Sequence, residues 1–351
     1  MRLYETFRAA KAVRVLLLIG CVWLILACAA VTGGAPGDPP QAAPATGLPV
    51  ASSAVPLAPT LAPPSVTPLP TDTALPTDTL PPPPSPTPAV LRFAVIGDFG
   101  EGNQGELDVA NLVKSWQPEI VITVGDNNYP SGAAETIDQR VGQYYQEFIY
   151  PYQGAYGSGA SENRFFPTLG NHDWDTPGAQ PYLDYFALPG NERYYDFVWG
   201  PVHFFAVSSD SREPDGVSQI SAQAEWLKAG LAASTSPWKV VYFHHAPYSS
   251  GYHGPVDWMR WPLKEWGASV VFSGHDHTYE RLEVDGLTYI VNGLGGGPIY
   301  PFLIPAPGSQ MRYNDDYGAM LVSADAAQMK LEFYNRQGTL IDQYTLGKTG
   351  P

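Results

Sequence analysis

Short apolar runs recur along the chain at residues 91–96, 120–124, 202–207, 240–243, 269–272 and 288–291, and in each of them neighbouring positions are both apolar. They are rich in Val, Ile and Phe and are bounded by Gly, Asp or Asn. A strand that is apolar on both faces must be covered on both sides, as in layered α/β folds. Between these runs the apolar spacing predicts helices over residues 106–116, 137–148 and 221–232, and a further one over 256–266. From residue 289 to 346, strand-like stretches alternate with Gly and Pro turns, which predicts a second sheet. No internal repeat is visible. The elements together predict a sandwich of two sheets flanked by helices.

Before residue 90 the pattern is of another kind. A basic start (Arg2, Arg8, Lys11, Arg14) leads into an unbroken apolar run at 15–31, the layout of a secretory signal. Leu24-Ile25-Leu26-Ala27-Cys28 resembles a bacterial lipobox; Cys21 also fits one, but with a shorter apolar core before it. An uncleaved anchor helix is the alternative, because the run nears the length that spans a bilayer. Residues 32–89 then turn to Pro, Thr, Ala and Ser, hold 18 of the 36 prolines and carry only Asp38, Asp72 and Asp78 as charges. Such a segment cannot bury enough apolar surface to offset its ordering entropy, so a disordered, extended spacer is expected. The organisation predicted is a signal or lipoprotein anchor at 1–31, a linker at 32–89 and one catalytic domain at 90–348. That domain is expected to be exported and held at the cell surface, extracellular or periplasmic, by an N-terminal lipid or anchor helix.

Composition narrows the chemistry. The two cysteines, Cys21 and Cys28, both precede the domain, so it has no disulfide and no thiolate ligand, and any metal is held by nitrogen and oxygen. The net charge of −15 belongs to the domain, since signal and linker cancel. An acidic domain argues against nucleic acid as a partner, and no protein partner can be inferred. If the substrate is an anion, something other than side chains must supply positive charge.

The informative feature is where the apolar runs stop. Residues 91–96 lead into Gly97-Asp98-Phe99-Gly100, and 120–124 into Gly125-Asp126-Asn127-Asn128-Tyr129. Residues 165–169 lead into Gly170-Asn171-His172-Asp173, 240–243 into His244, and 269–272 into Gly274-His275-Asp276-His277. In open α/β sheets ligands gather beyond the carboxyl ends of strands. Glycines before the metal-ligating types would permit tight turns there. Each piece alone is weak, since Gly-Asp after a strand is usually a turn. Jointly they account for five of the seven histidines, counting His253 just beyond His244; His203 and His245 receive a structural reading. Gly293-Leu294-Gly295-Gly296-Gly297 is not followed by Lys-Ser or Lys-Thr, so it is not a P-loop and predicts a close backbone approach instead.

The ordered set Gly-Asp-x-Gly, Gly-Asp-x-x-Tyr, Gly-Asn-His-Asp, Val-x-x-His and Gly-His-x-His, from Gly97 to His277, resembles the calcineurin-like metallophosphoesterase superfamily. Tyr129, three residues after Asp126, resembles purple acid phosphatases, and the lack of an N-terminal β-sandwich resembles their small, tartrate-resistant type. The resemblance implies an α/β fold, a four-layer αββα sandwich of two mixed sheets flanked by helices. It implies one metal site of Asp98, Asp126, Tyr129 and His277, and a second of Asp126, Asn171, His244 and His275. Two carboxylates and a phenolate suit Fe(III), and the second site suits a divalent Fe, Zn or Mn. The implied activity is acid phosphatase: attack of a metal-bound hydroxide on a small phosphate monoester. A phosphodiesterase or nucleotide hydrolase with the same metals is the alternative, and a non-catalytic metal-retaining surface protein is the alternative of another class. His172 is the expected contact to the phosphoryl group, Asp173 its orienting partner and His253 the general acid.

Overall fold

In the computed structural model, which describes residues 90–347, strand β1 (Leu91–Ile96) shows why the apolar runs lack a polar face. Phe93 and Val95 enter a core between two sheets, while Ala94 and Ile96 enter a second core beneath helices. The same division recurs in β2 (Ile120–Thr123), where Ile120 and Ile122 face the inter-sheet core and Val121 the helices. In β6 (Trp238–His245), Val240 and Tyr242 face inward, whereas Val241 and Phe243 meet the helices on the far side. Three cores therefore separate four layers: helices, sheet, sheet, helices.

The first sheet has the order β13-β12-β11-β1-β2-β3, with β3 at Phe165–Pro167, β11 at Gly318–Ala324, β12 at Gln328–Asn335 and β13 at Leu340–Gly347. The second has the order β10-β8-β9-β7-β6-β5-β4, built from β4 (Tyr195–Trp199), β5 (Val202–Ala206), β7 (Val270–Gly274), β8 (Tyr279–Val284), β9 (Leu287–Asn292) and β10 (Ser309–Tyr313). Both sheets are mixed: β1, β2 and β3 run parallel, as do β5, β6, β7 and β9, and the remaining pairs are antiparallel. The fold class read from the sequence holds. The expected division of the chain into an early and a late sheet does not. β11 pairs with β1 in register, Phe93 opposite Val322, so the end of the chain completes the first sheet, while β10 joins the second. Period-2 patterning fixes which face a residue takes but not which strand lies beside it.

On the first sheet lie α1 (Gln104–Ser115), α2 (Ala134–Ile137), α3 (Gln143–Tyr145) and α4 (Gln180–Tyr185); on the second lie α5 (Ala222–Ala233) and α6 (Leu263–Trp266). Asn103 caps α1 by accepting from Glu106 N at 3.0 Å, and Ser221 caps α5 by accepting from Ala224 N at 3.2 Å. The helix expected over 137–148 is interrupted by a π turn at Asp138–Gly142 and a 3-10 turn at Gln146–Phe148. The helix expected over 256–266 is a 3-10 turn, Asp257–Met259, and one α turn, because Pro262 lacks the N–H that would continue it. Among the described residues no helix is long and apolar enough to cross a membrane. The anchor and linker expectations fall on residues 1–89, outside the described residues.

Candidate metal centre

The parallel strands of both sheets end at one edge, and hydrogen bonds join the two sheets there. His275 N donates to both Asp98 carboxylate oxygens at 3.0 and 3.1 Å, and His244 Nδ1 to Val124 O at 2.9 Å, while Asp98 N donates to Gly125 O at 3.0 Å within the first sheet. The turns that aim these side chains are strained at the functional residues themselves. Asp98, Asp126 and His275 have φ of 54°, 52° and 70°, the left-handed region that non-glycine residues seldom occupy. Of the glycines that precede them only Gly125 takes a positive φ, 90°, so the expected glycine-permitted turn is right there. At Gly274 the demand is closeness instead: a Cβ would lie 2.4 Å from Asp98 Oδ2 and 3.0 Å from Val124 Cγ2. Gly274→Ala is expected to push the Asp98 carboxylate off His275 N and destabilise the domain by about 1–3 kcal/mol, read by chemical denaturation. An unchanged midpoint would show that the carboxylate relaxes freely.

Asp98, Asp126 and His277 are buried and present ligand atoms that all lie within 4.8 Å of one another. Tyr129 Oη completes the group, donating to Asp126 Oδ2 at 3.0 Å and lying 3.0 Å from His277 Nε2. His277 Nδ1 donates to Pro298 O at 2.7 Å, which leaves Nε2 as the nitrogen facing the carboxylates, 3.4 Å from Asp98 Oδ1. A second group adjoins it across Asp126. His244 Nδ1 donates to Val124 O at 2.9 Å, so its Nε2 turns inward, 3.3 Å from Asp126 Oδ2, 3.0 Å from Asn171 Oδ1 and 3.2 Å from His275 Nδ1. The structure thus brings together all seven side chains expected as ligands, and Asp126 touches both groups.

The donors fit cations. Among the described residues no lysine or arginine bonds to Asp98 or Asp126, which are 0 % and 1 % exposed. Buried carboxylates of that kind need compensating charge. Burial tends to raise the Asp126 carboxyl, but the His244 imidazole and the His172 N–H together hold it well below the usual range. Burial likewise opposes protonation of His244, and Asp126 overcomes this, raising it to about 10. Burial and then the His244 charge push His275 far down, and push His245 to about 3. Burial, reinforced by Asp126 and Asp98, holds the Tyr129 phenol well above 10. Two carboxylates, a phenol, an amide oxygen and three imidazoles with one nitrogen each turned inward form a hard nitrogen and oxygen cage of the sort transition metals take.

The expected catalytic residues are placed unequally. His172 N donates to Asp126 Oδ1 at 3.0 Å, and its Nδ1 donates to Pro130 O at 2.6 Å, leaving Nε2 free at 4.0 Å from Asp126 Oδ2. Asp173 does not orient it. Its buried carboxylate faces the other way, accepting from Gly170 N at 2.8 Å, from Asn127 N at 3.2 Å and from Asn127 Nδ2 at 2.9 Å. Burial and the nearby Asp126 raise Asp173 to about 7, and its bonds to Gly170 and Asn127 tie the two ligand-bearing loops together rather than hold an imidazole. The carboxylate nearest the His172 ring is Asp175, 3.9 Å from Nδ1. His253 is exposed, with its backbone N–H held by Asp276 Oδ1 at 2.7 Å and its ring centroid 4.4 Å from that of His275.

Sequence reasoning missed Arg212 and Tyr300. Arg212 reaches Asn171 O at 2.8 Å and Trp174 O at 2.9 Å while held by Asp210 and Asp175, so it braces the loop that carries Asn171 and His172. A signal was present: the apolar run 202–207 also stops at polar residues, Ser208-Ser209-Asp210, just before Arg212. Tyr300 stacks on His277, with centroids 4.2 Å apart and planes at 11°. Gly295 N and Gly297 N donate to Gly97 O and Asp98 O at 3.0 and 2.8 Å, which seats the glycine-rich run against the Asp98 turn.

The family model described as calcineurin-like phosphoesterase matches residues 91–279. The chain belongs to the calcineurin-like phosphoesterase family. This phosphoesterase domain is 27 % identical to purple acid phosphatase 15 of Arabidopsis thaliana over 251 residues, 60 % of this chain and 46 % of that protein. It is 25 % identical to human tartrate-resistant acid phosphatase type 5 over 271 residues, 66 % of this chain and 79 % of that one. The chain thus spans about half the length of the plant relative and most of the human one. A purple acid phosphatase from yellow lupin (Lupinus luteus) seeds has the same fold, with TM-score 0.61 at 19 % identity over 74 % of this chain and 54 % of that one.

Proposed function

We propose that the domain is a two-metal acid phosphatase acting on phosphate monoesters. Asp98, Asp126, Tyr129 and His277 would hold Fe(III), and Asp126, Asn171, His244 and His275 a divalent Fe, Zn or Mn ion. The observation that carries this reading is the placement of Tyr129 Oη, 3.0 Å from both Asp126 Oδ2 and His277 Nε2, in a pocket of buried carboxylates that have no lysine or arginine partner among the described residues. Bound there, the ions supply Lewis-acid polarisation of the phosphoryl group and lower the pKa of water, which answers how an acidic domain attracts an anion. The side chains do the rest. His172, fixed through Nδ1, offers Nε2 to a phosphoryl oxygen beside the Asp126 carboxylate. His253, at the solvent side of His275, is placed to give a proton to the departing alcohol oxygen. By this reading the enzyme works outside the cytoplasm, tethered through its N-terminal segment, on small phosphate esters.

His172→Ala is expected to lower kcat by about 100-fold with unchanged metal content, in the range for loss of one positioned acid–base or phosphoryl-binding group. A variant turning over at the wild-type rate would remove His172 from the reaction. The ester class is read by comparing an aryl phosphate with the corresponding diester at acidic pH. Faster monoester turnover supports the proposal, faster diester turnover reassigns the domain to diesters, and inactivity of the metal-replete protein on both leaves a metal-retaining surface protein.

A further inference from the structure

We propose that His245, given no chemical role by the motifs, contacts the substrate as a hydrogen-bond donor, presenting Nε2–H to a phosphoryl oxygen beside His244 and His275. The inference rests on the phosphatase reading and assigns that site a further substrate-binding group.

The argument starts at Ser209, which is fully buried just beyond β5. Its Oγ accepts the backbone N–H of His245 at 2.9 Å and lies 2.9 Å from His245 Nδ1. The hydroxyl hydrogen has Nδ1 as its acceptor; were Nδ1 the donor instead, a buried hydroxyl hydrogen would have no partner. The network therefore assigns the ring hydrogen to Nε2. Were the ring doubly protonated, Nε2 would still carry a hydrogen, so the donor does not depend on charge state. Among the described residues Nε2 meets no protein acceptor, and it is not one of the enclosed polar atoms left without a partner. It is a donor kept available.

The ring is held where such a donor is useful. Its centroid lies 4.5 Å from that of His275 and 5.0 Å from that of His244. Trp258 lies at 5.8 Å and is itself pinned by its indole N–H to Ser209 O at 3.1 Å. A histidine with a purely structural role looks different in this same protein. His203 pairs both nitrogens, Nδ1 with Ser234 Oγ at 2.9 Å and Nε2 with Asp196 Oδ2 at 2.8 Å. His245 has one nitrogen fixed and the other without a protein acceptor among the described residues, on a ring packed beside two of the candidate ligands.

The test uses the whole protein with His245→Ala, His245→Gln and Ser209→Ala. Loss of one donor should raise KM for an aryl phosphate and the inhibition constant of inorganic phosphate about tenfold in His245→Ala, with the metal-to-protein ratio unchanged. His245→Gln, whose amide Nε2 reaches a similar position, should recover most of that loss. Ser209→Ala frees the tautomer and should cost less, with no added effect in the His245→Ala background. Wild-type phosphate affinity in His245→Ala overturns the proposal, as does loss of metal, which would make the residue a ligand or a strut. A glutamine variant as impaired as the alanine one overturns it too, and decides the matter if His245→Ala does not fold. Should the wild-type protein hydrolyse no ester, the phosphatase reading fails by itself, and direct calorimetric titration with phosphate still reads the donor.

Discussion

Asp126→Asn is expected to abolish phosphatase activity, lowering kcat/KM by at least about 1,000-fold, the upper range for removing one electrostatic element of a site. The reason for so large an effect is that one carboxylate serves two groups of donors. Oδ2 lies 3.0 Å from Tyr129 Oη in one group and 3.3 Å from His244 Nε2 in the other. Asparagine keeps the shape, and its amide oxygen can still accept from His172 N, which Asp126 Oδ1 does at 3.0 Å. The loop should therefore persist while the shared charge disappears. A second readout separates loss of metal from loss of chemistry. Metal binding to the folded state alone should raise the melting temperature of the wild-type protein, and a chelator should reverse it. The variant should show neither response. Retention of two metals per chain with activity within tenfold of wild type would mean that Asp126 is not the bridge.

The strands were legible because burial on both faces leaves no ambiguity of pattern: 91–96 was read as it stands, and β6 and β7 to within two residues at either end. The ligand residues were legible for a related reason. A polar residue after a strand apolar on both faces must be at the sheet edge, and parallel strands put those edges together. Less was visible where the answer depended on pairing between distant segments. Nothing in residues 318–324 says that they lie beside β1, since that choice is made by the inter-sheet core that Phe93, Val322 and Phe333 share. Asp173 was misread for a similar reason. Adjacency to His172 suggested a partnership, yet its carboxylate points at Asn127, 46 residues earlier. Sequence neighbours in a tight loop often face opposite ways, and only the loop geometry tells which.

The backbone at the site shows why the legible motif is also a costly one. Asp98, Asp126 and His275 each hold a left-handed conformation, where glycine is the residue that would relieve strain. A glycine there would remove the ligand atom. The bonds from His275 N to Asp98 and from Asp98 N to Gly125 O hold these strained turns, and the side chains they carry, in place. Preorganised donors cost less to assemble around a cation than donors on loose loops.

Tyr129→Phe is expected to abolish the visible absorption of the oxidised protein while leaving the fold almost as stable, with a loss of about 1 kcal/mol for the phenol hydrogen bond. The ring is 5 % exposed and packs at 4.5 Å, centroid to centroid, against His172, a contact that phenylalanine keeps. What it loses is Oη, the atom between Asp126 Oδ2 and His277 Nε2. Burial and the charges of Asp126 and Asp98 hold that phenol protonated far above neutral pH, so a phenolate at acidic pH requires a strongly polarising cation at the same point. Colour from charge transfer between phenolate and Fe(III) is therefore a direct readout of Tyr129 as a ligand. A colourless oxidised wild type with full metal content would mean divalent ions in both sites and an ordinary two-metal phosphoesterase. A band that survives in Tyr129→Phe would move the assignment to Tyr300, whose ring stacks on His277 with centroids 4.2 Å apart, and Tyr300→Phe would then be the variant that bleaches it.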